Sequence, residues 1–218
     1  MDGKNGVIHF KDWNNSYIPN ILKELYLDKV YQKFLGNKEN LTIIDAGFNI
    51  GLFSLYASKY AKQIYAFEPA QETYDIGLKN LKDNRINNVK LFKKAIHTKD
   101  EAINFYHNDN STMNSSMAIV ENNPKIRETV EGIRFDTFVK QEGIEKIDFL
   151  KLDIEGSECD VIASESFANI VPILEALVVE YHSWSGVNPQ QLVTTLRDYG
   201  YLVEQIPSEA VILSAVKP

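Results

Sequence analysis

The chain has 218 residues, 44% hydrophobic and 24% charged, and a net charge of −7. Its length suits one sizeable domain, and the absence of a basic patch disfavours a nucleic-acid partner. A single cysteine excludes an intramolecular disulfide, and no apolar run reaches the about 18 residues that predict a membrane span. Because residues 1–16 contain no apolar core of signal-peptide length, we expect a cytoplasmic protein, and the sequence allows a homo-oligomer.

Strand-like and helix-like segments alternate along the chain. An amphipathic pattern predicts a helix over 17–35 that ends at Gly36. The strands predicted after it are 41–46, 63–68, 88–96, 147–153, 176–182, 201–206 and 210–216, and the predicted helices are 50–60, 70–82, 156–166 and 188–199. Several strands are apolar throughout, as in LTII and ALVV, which is typical of a buried parallel sheet. This alternation predicts an α/β fold with a Rossmann-like, doubly wound sheet and helices on both faces.

One segment breaks this rhythm. Residues 107–131 are polar, show little periodicity and are long for a connection. Such a segment is typical of a lid or of a disordered loop. We therefore predict a helical extension over 1–40 and one domain over 41–218, with a lid-like insertion at about 107–131. Ligands of doubly wound sheets bind at the carboxyl ends of the strands, so residues at those ends are the candidates for a site.

The turn after the first predicted strand has the sequence DAGFNIG and begins at Asp45. Gly47 and Gly51 permit positive φ angles, and the helix that follows offers N–H groups to an anion. A dinucleotide fingerprint needs a third glycine, whereas Phe48 and Asn49 occupy this turn. The Asp45 carboxylate beneath the turn would repel a pyrophosphate and attract a cationic ligand.

Glu68 ends the next predicted strand, 21 positions after Gly47 (68 − 47). An acidic residue at this place usually binds a ribose diol. A nucleoside with a cationic tail and a carboxylate describes S-adenosylmethionine, whose cations suit Asp45 and whose carboxylate suits the start of the helix. An NAD-dependent oxidoreductase is the alternative class of enzyme, and a nucleoside-binding module without catalysis is a third interpretation.

Four stretches, in order, resemble the FkbM-type S-adenosylmethionine-dependent methyltransferases. They cover most of residues 41–182 and read IIDAGFNIGLFSLYA, IYAFEPAQETYDIGLKNLKDN, IDFLKLDIEGSECDVI and ALVVEYH, of which KLDIEGSE is the most specific part. The resemblance implies the class I methyltransferase fold, a seven-stranded, mostly parallel sheet whose last strand is antiparallel. It also implies O-methylation of a hydroxyl on a sugar, a glycan or a secondary metabolite. The segments 1–40 and 107–131 are then assigned to acceptor binding.

The resemblance extends the expected contacts of the S-adenosylmethionine cofactor. Class I enzymes hold adenine after the third strand, so Ala95 and Ile96 are expected to line it. Asp153 ends the fourth strand of the family core and is expected to contact the cofactor or to orient the acceptor. The expected cofactor contacts are Asp45, Gly47, Phe48, Asn49, Gly51, Glu68, Pro69, Ala95, Ile96 and Asp153.

The stretch ALVVEYH ends in Glu180 and His182, which are two residues apart and therefore point to the same face of the sheet. His182 is the best general base in the sequence because the pKa of a free histidine is near physiological pH. We expect His182, Asp153 and Glu180 to be the catalytic residues, with His182 as the base. The structural alternative for His182 is a hydrogen bond to a neighbouring loop.

The carboxylates near these residues raise the question of a metal. Asp153, Glu155 and His182 are of types that bind hard cations, but nothing in their spacing enforces a ligand set, so we predict no metal site. Glu155 and Glu158 also suit the first turn of a helix, and for Glu158 we expect only that role.

Overall fold

The computed structural model describes residues 9, 18–107, 115–116, 126–182, 188–207 and 211–218. The helices are α1 (Ile18–Tyr26), α2 (Gln32–Leu35), α3 (Leu52–Ala57), α4 (Gln71–Asp83), α5 (Phe135–Glu142), α6 (Glu158–Ile162), α7 (Glu165–Ile170) and α8 (Pro189–Asp198). The strands are β1 (Leu41–Ala46), β2 (Ala61–Phe67), β3 (Val89–Phe92), β4 (Ala95–Ile96), β5 (Ala102–His107), β6 (Ser115–Ser116), β7 (Ile126–Ile133), β8 (Phe149–Leu152), β9 (Ala176–Tyr181), β10 (Leu202–Ile206) and β11 (Val211–Val216). Within these ranges, no helix has both the length and the apolar character needed to cross a membrane.

Seven strands form the main sheet, in the order β10-β11-β9-β8-β1-β2-β3. The pairs from β9 to β3 are parallel, whereas β11 runs antiparallel to both of its neighbours. The predicted closing hairpin and the antiparallel last strand are therefore confirmed. β1 lies between β2 and β8, so the chain crosses over in opposite directions on its two sides, and a cleft opens at its carboxyl end.

Helices cover both faces of this sheet. Adjacent residues of β1 point to opposite faces, as the pleat of a strand requires. Ile43 packs in a cluster with residues of α1, α2 and α3, and Ile44 packs in a second cluster with residues of α5 to α8. Both side chains are fully buried. The doubly wound arrangement is confirmed, and it leaves the strand ends as the accessible edge.

The helix predicted over 17–35 is two helices in the structure. Lys29 takes a left-handed φ of 54° between them. This change of direction lets Tyr31 and Phe34 pack on Phe149 of the sheet, with ring centroids 6.1 and 5.3 Å apart. Both helices have an apolar face, so the hydrophobic pattern continues across Lys29 and does not reveal that the helix is interrupted there. The described part of the N-terminal segment therefore shares a core with the sheet.

A second sheet, in the order β4-β7-β5-β6, extends beyond β3. Residues 126–131 of the expected insertion belong to β7, which pairs antiparallel with β5. Where side chains are described, Ala102, Asn104, Thr129 and Glu131 are exposed on one face of this pair, and Phe105 and Val130 are buried on the other. The polar residues of the exposed face made the segment resemble a loop. Residues 108–114 and 117–125 of the insertion lie outside the described residues, and so do residues 1–8 and 10–17.

Two further elements are shorter than expected. The strand predicted over 88–96 stops at Phe92, and Ala95–Ile96 pair with β7 instead. The helix predicted over 156–166 is interrupted at Ser164, which is extended and accepts a hydrogen bond from the backbone N–H of Phe167 at the start of α7. This N-cap ends one helix and begins the next, as serine often does.

Candidate cofactor and catalytic site

A cavity opens at the carboxyl ends of β1, β2 and β8. This is the edge at which doubly wound sheets bind their ligands. Seven residues expected to contact the cofactor line this cavity: Gly47, Asn49, Glu68, Pro69, Ala95, Ile96 and Asp153. The residues expected at the ends of β1, β2, β4 and β8 are therefore brought together.

The turn after β1 lies directly against the end of β8. Gly47, Asn49 and Gly51 have positive φ angles of 88°, 55° and 90°. A Cβ atom on Gly47 would overlap the backbone carbonyl oxygen of Asp153. Because only glycine permits this approach, the turn and the end of β8 form one continuous wall of the cavity.

The backbone N–H groups of this turn are already used within the chain. Those of Gly47 and Phe48 donate to the carbonyl oxygen of Phe67, and that of Gly51 donates to the carbonyl oxygen of Phe48. The N–H of Asn49 donates to Glu68, and the next N–H donates to Asn49 Oδ1. The expectation that these groups bind the carboxylate of the cofactor is therefore corrected.

Phe48 and Gly51 lie behind the turn rather than on the cavity wall. The Phe48 ring is 2% exposed. Cβ atoms added to Gly51 or to Gly77 of α4 would overlap this ring. The ring fills the space between the turn and α4, so both residues support the turn, and their contact with the cofactor stays a prediction.

Asp45 is fully buried, and its counter-ion is a lysine of the chain. Ser54 Oγ donates a 2.6 Å hydrogen bond to Asp45 Oδ2, and Lys151 Nζ lies 3.7 Å from Asp45 Oδ1. Burial raises the pKa of Asp45 to about 6, and the charge of Lys151 opposes this shift. Lys151 offsets part of the charge of Asp45, and the attraction of Asp45 for a cationic ligand stays a prediction.

Lys151 was not among the expected site residues. Its Nζ donates 3.0 Å hydrogen bonds to the carbonyl oxygen of Gly47 and to Asp153 Oδ2. Burial alone would lower the pKa of Lys151, but the carboxylates of Asp153 and Asp45 outweigh burial and hold it above its usual value. Lys151 therefore joins the glycine turn to Asp153. The signal in the sequence is a lysine inside the otherwise apolar strand FLKL.

Glu68 combines burial with unused acceptor capacity. It is 6% exposed, and its two carboxylate oxygens accept 2.9 Å hydrogen bonds from the backbone N–H groups of Asn49 and Ala70. Burial raises the pKa of Glu68 to about 7, against the effect of these two bonds. Each oxygen keeps a second lone pair, so the carboxylate can accept two more hydrogen bonds. A ribose diol offers two donors of this kind.

His182 follows β9 and lies among carboxylates. Its Nε2 is 3.8 Å from Asp153 Oδ1, 3.6 Å from Glu155 Oε2 and 3.9 Å from Glu180 Oε1. The structure thus brings together the three residues expected to be catalytic and adds Glu155. Asp153 and Glu155 also line the cavity, which places this His182 cluster at its rim.

Glu158 contacts the other nitrogen of the imidazole. Nδ1 of His182 lies 2.9 Å from Glu158 Oε1, and Glu158 is 1% exposed. The backbone N–H groups of Ile154 and Gly156 also donate to this carboxylate. Glu158 begins α6 and bonds the adjoining loop, as expected, and its contact with His182 is the feature that the sequence analysis missed.

Three groups of the His182 cluster have pKa values above their usual range. Burial would lower the pKa of His182, but the hydrogen bond and charge of Glu158, with the charges of Asp153 and Glu155, raise it to about 9. Burial and the charge of Asp153 raise the pKa of Glu155 to about 7 and that of Glu180 to about 8. The carboxylates therefore stabilise a positive charge on the imidazole.

The same residues have a geometry that metal ions use. Asp153, Glu155 and His182 each offer a ligand atom within 4.8 Å of the others. The imidazole already supplies a positive charge here at neutral pH, and the absence of a metal site stays a prediction.

The methyltransferase FkbM domain model matches the chain over residues 45–203. The chain belongs to the FkbM methyltransferase family. As a member of it, this protein is an S-adenosylmethionine-dependent methyltransferase, and the oxidoreductase alternative is set aside. The cavity fits the cofactor, because it combines a nearly buried carboxylate that can accept two more hydrogen bonds with an apolar wall at Ala95 and Ile96.

Relatives of this FkbM methyltransferase carry related names. Methyltransferase sdnD of Sordaria araneosa is 29% identical over 212 residues, which cover 83% of this chain and 81% of that protein. Hexuronic acid methyltransferase AglP of Haloferax volcanii is 25% identical over 161 residues, which cover 74% of this chain and 63% of that protein. Magnesium protoporphyrin IX methyltransferase of Synechocystis, solved with bound SAM, shares the fold with a TM-score of 0.56 at 11% identity, over 96% of this chain and 86% of that one.

Proposed function

We propose that this FkbM methyltransferase methylates a hydroxyl group on a sugar, a glycan or a secondary metabolite. The observation that carries the proposal is His182 at the rim of the cofactor cavity, with Nε2 turned toward three carboxylates. An alcohol oxygen is a weak nucleophile until its proton is removed, and a positioned imidazole removes such protons well. The carboxylates stabilise the imidazolium that results.

Residues around the cavity would hold S-adenosylmethionine, which supplies an electrophilic methyl group on a sulfonium sulfur. Glu68 would accept hydrogen bonds from the ribose hydroxyls, and Ala95 and Ile96 would line the adenine. Pro69 and Asn49 complete the wall on either side of Glu68. Asp153, held by Lys151, stands between this wall and His182 and would contact both the cofactor and the acceptor.

In the proposed reaction, the acceptor hydroxyl gives its proton to Nε2 of His182. The acceptor oxygen keeps the electron pair and forms the new bond to the methyl carbon, while the electrons of the broken bond remain on sulfur. Asp153 and Glu180 orient the hydroxyl and balance the charge of the imidazolium. Proximity and orientation supply most of the acceleration.

The charges around His182 favour an acceptor without a carboxylate near the reacting hydroxyl. Asp153, Glu155 and Glu180 have side chains 24–29% exposed, and each of them that is ionised repels another carboxylate where water is partly excluded. Burial is the main cause of the raised pKa of Glu180, and the charge of Glu24 in α1 adds to it. This influence of α1 on Glu180 supports the interpretation of residues 1–40 as a cap on the acceptor side. We therefore place neutral polyhydroxyl compounds ahead of hexuronates.

An assay with methyl-labelled S-adenosylmethionine and parallel panels of neutral glycosides and hexuronates tests this proposal. We expect label on the neutral glycosides in an alkali-stable ether, with the same rate after treatment with EDTA. Transfer confined to hexuronates or to amino groups would contradict the proposed acceptor. Loss of activity in EDTA, restored by Mg²⁺ or Mn²⁺, would make His182 a metal ligand instead of the base.

Replacing His182 separates chemistry from binding. His182→Ala is expected to lower kcat about 10²–10⁴-fold and to change the Kd of S-adenosylhomocysteine little. In the parent, the rate should rise with pH toward about 9, because the base acts only when it is deprotonated. His9→Ala, which removes an imidazole bonded to Asp83, is the control. A His182 variant as active as the parent would move the base to Asp153.

A further inference from the structure

Glu158 is a buried carboxylate to which the reaction above assigns no role. It is 1% exposed, and three groups of the described residues bond it: the N–H of Ile154 at 2.9 Å, the N–H of Gly156 at 3.1 and 3.2 Å, and Nδ1 of His182 at 2.9 Å. An ionised carboxylate only accepts hydrogen bonds. Nδ1 of His182 therefore carries the hydrogen in this contact and donates it.

This contact determines which nitrogen of His182 meets the acceptor. In a neutral imidazole with the hydrogen on Nδ1, the lone pair is on Nε2. Nε2 is the nitrogen that lies 3.6–3.9 Å from Glu155, Asp153 and Glu180 at the cavity rim. The opposite tautomer would lose this hydrogen bond and turn the lone pair of Nδ1 toward the Glu158 carboxylate, so that two acceptors would face each other in a buried place.

The same carboxylate holds the loop that carries two residues of the His182 cluster. Glu155 and Gly156 have left-handed φ angles of 56° and 105°, and the N–H groups on either side of Glu155 both point to Glu158. Ile154 and Glu155 line the cavity. One side chain thus connects the end of β8, which faces the cofactor, to the base at the end of β9.

We propose that Glu158 is the positioning residue of the methyl transfer: it selects the tautomer of His182 with Nε2 as proton acceptor and ties that imidazole to the loop after Asp153. The inference rests on the hydroxyl methylation proposed above. Glu158 acts through His182, in the way that a third group orients the base of an activated nucleophile.

The test compares Glu158→Gln with Asp160→Asn, which removes a negative charge from an exposed position of the same helix. Three properties are measured: kcat against pH, the Kd of S-adenosylhomocysteine by calorimetry, and the tautomer of His182 from long-range ¹H–¹⁵N spectra of histidine-labelled protein, recorded above about pH 9, where the imidazole is neutral. The chain has four histidines, so His182→Ala assigns the signals.

For Glu158→Gln we expect kcat about 10²-fold lower, a nearly unchanged Kd and a smaller share of the tautomer protonated on Nδ1. The pH of half-maximal rate should fall, because one carboxylate that favours the imidazolium is gone. Within the part of the chain that the structure describes, the other charged groups beside His182 are Asp153, Glu155 and Glu180, with Lys151 bonded to Asp153, and this substitution leaves them unchanged. Asp160→Asn should match the parent in all three properties.

A Glu158→Gln protein with the tautomer, kcat and pH profile of the parent overturns the proposal. If circular dichroism shows that Glu158→Gln does not fold, Glu158→Asp is measured instead, because it keeps the charge and shortens the reach. Parent-like tautomer and kcat in that folded variant would overturn the proposal as well. A parent protein that methylates no hydroxyl refutes the proposed function, whereas the tautomer measurement still decides the role of Glu158.

Discussion

Glu68 supports the turn after β1 and remains available to a ligand. Its oxygens bind the backbone N–H groups of Asn49 and Ala70, and burial still keeps its pKa at about 7. Two further donors would favour the charged form, because hydrogen bonds to a carboxylate lower its pKa. Binding of the cofactor is therefore expected to release a proton from Glu68 near neutral pH.

Glu68→Ala should weaken the binding of S-adenosylhomocysteine by about 1–3 kcal/mol, because two ribose hydroxyls would lose their acceptor. Isothermal titration calorimetry in two buffers of different ionisation enthalpy measures both the affinity and the proton release. Glu72→Ala, at an exposed position in the first turn of α4, is the control. An unchanged affinity in Glu68→Ala would remove Glu68 from the ribose.

At the scale of elements, contacts with β8 constrain the backbone of the turn after β1. Gly47 approaches the carbonyl oxygen of Asp153 so closely that a side chain at position 47 would have to displace the backbone of the neighbouring strand end. Lys151, in β8, holds the carbonyl oxygen of Gly47 from below. The two strand ends therefore form one unit, and a change in the turn is transmitted to Asp153.

Gly47→Ala tests this coupling against Gly200→Ala. The two glycines have φ angles of 88° and 89°, but an added Cβ on Gly200 has no neighbour within 4 Å. Gly200→Ala should therefore cost only the left-handed penalty of about 1–2 kcal/mol. Gly47→Ala should cost more in urea unfolding and should also abolish binding of S-adenosylhomocysteine. Equal costs, with normal binding in Gly47→Ala, would contradict the close approach.

At the scale of the whole molecule, four carboxyl groups with raised pKa values and His182 lie at the carboxyl-end edge of the sheet. The pKa values are about 6 for Asp45, about 7 for Glu68 and Glu155, about 8 for Glu180 and about 9 for His182. A carboxyl group whose pKa is raised by folding binds its proton more tightly in the folded state. A histidine whose pKa is raised behaves in the same way.

The free energy of unfolding should therefore fall as the pH rises from about 5 to about 9, by a few kcal/mol in total. The carboxyl groups stabilise the folded state only while they are protonated, so their stabilisation is lost between their pKa values in the unfolded chain and about pH 6–8. The stabilisation from protonated His182 is lost between about pH 6.5 and 9. Asp136, whose pKa is held low mainly by Arg134, changes nothing in this window. Urea unfolding at three pH values measures the slope, and Glu180→Gln should reduce it. A stability that rises with pH would contradict this distribution of charge.

Several expectations about the whole protein stay predictions. These are the cytoplasmic location, a homo-oligomer, the absence of a nucleic-acid partner, and the division at residue 40 with a lid-like insertion. The described residues bear on the last of these in part. α1 and α2 share a core with the sheet, and 126–131 lie in β7.

The sequence by itself determined the strand–helix alternation, both faces of the sheet and the residues at the strand ends. These follow from local rules, since apolar periodicity specifies which side of an element is buried and glycines mark the turn where the backbone takes positive φ. Gly47, Asn49, Glu68 and Pro69 were found in this way, and the family resemblance added Ala95, Ile96 and Asp153; all seven line the cavity. The His182 cluster was found because parallel strands end at the same edge.

Only the tertiary structure decided how the charges pair. Lys151 lies beside Asp45 across 106 positions, and Glu158 contacts His182 across 24. The turn N–H groups were expected to be open to a ligand and are bonded within the chain. The periodicity of the sequence indicates which face of a helix or strand is buried. The partner of a buried charge depends instead on which other element packs beside it. For this reason the sequence alone indicated only that Glu158 is a residue at a helix start, whereas the structure places His182, at the end of β9, in contact with it.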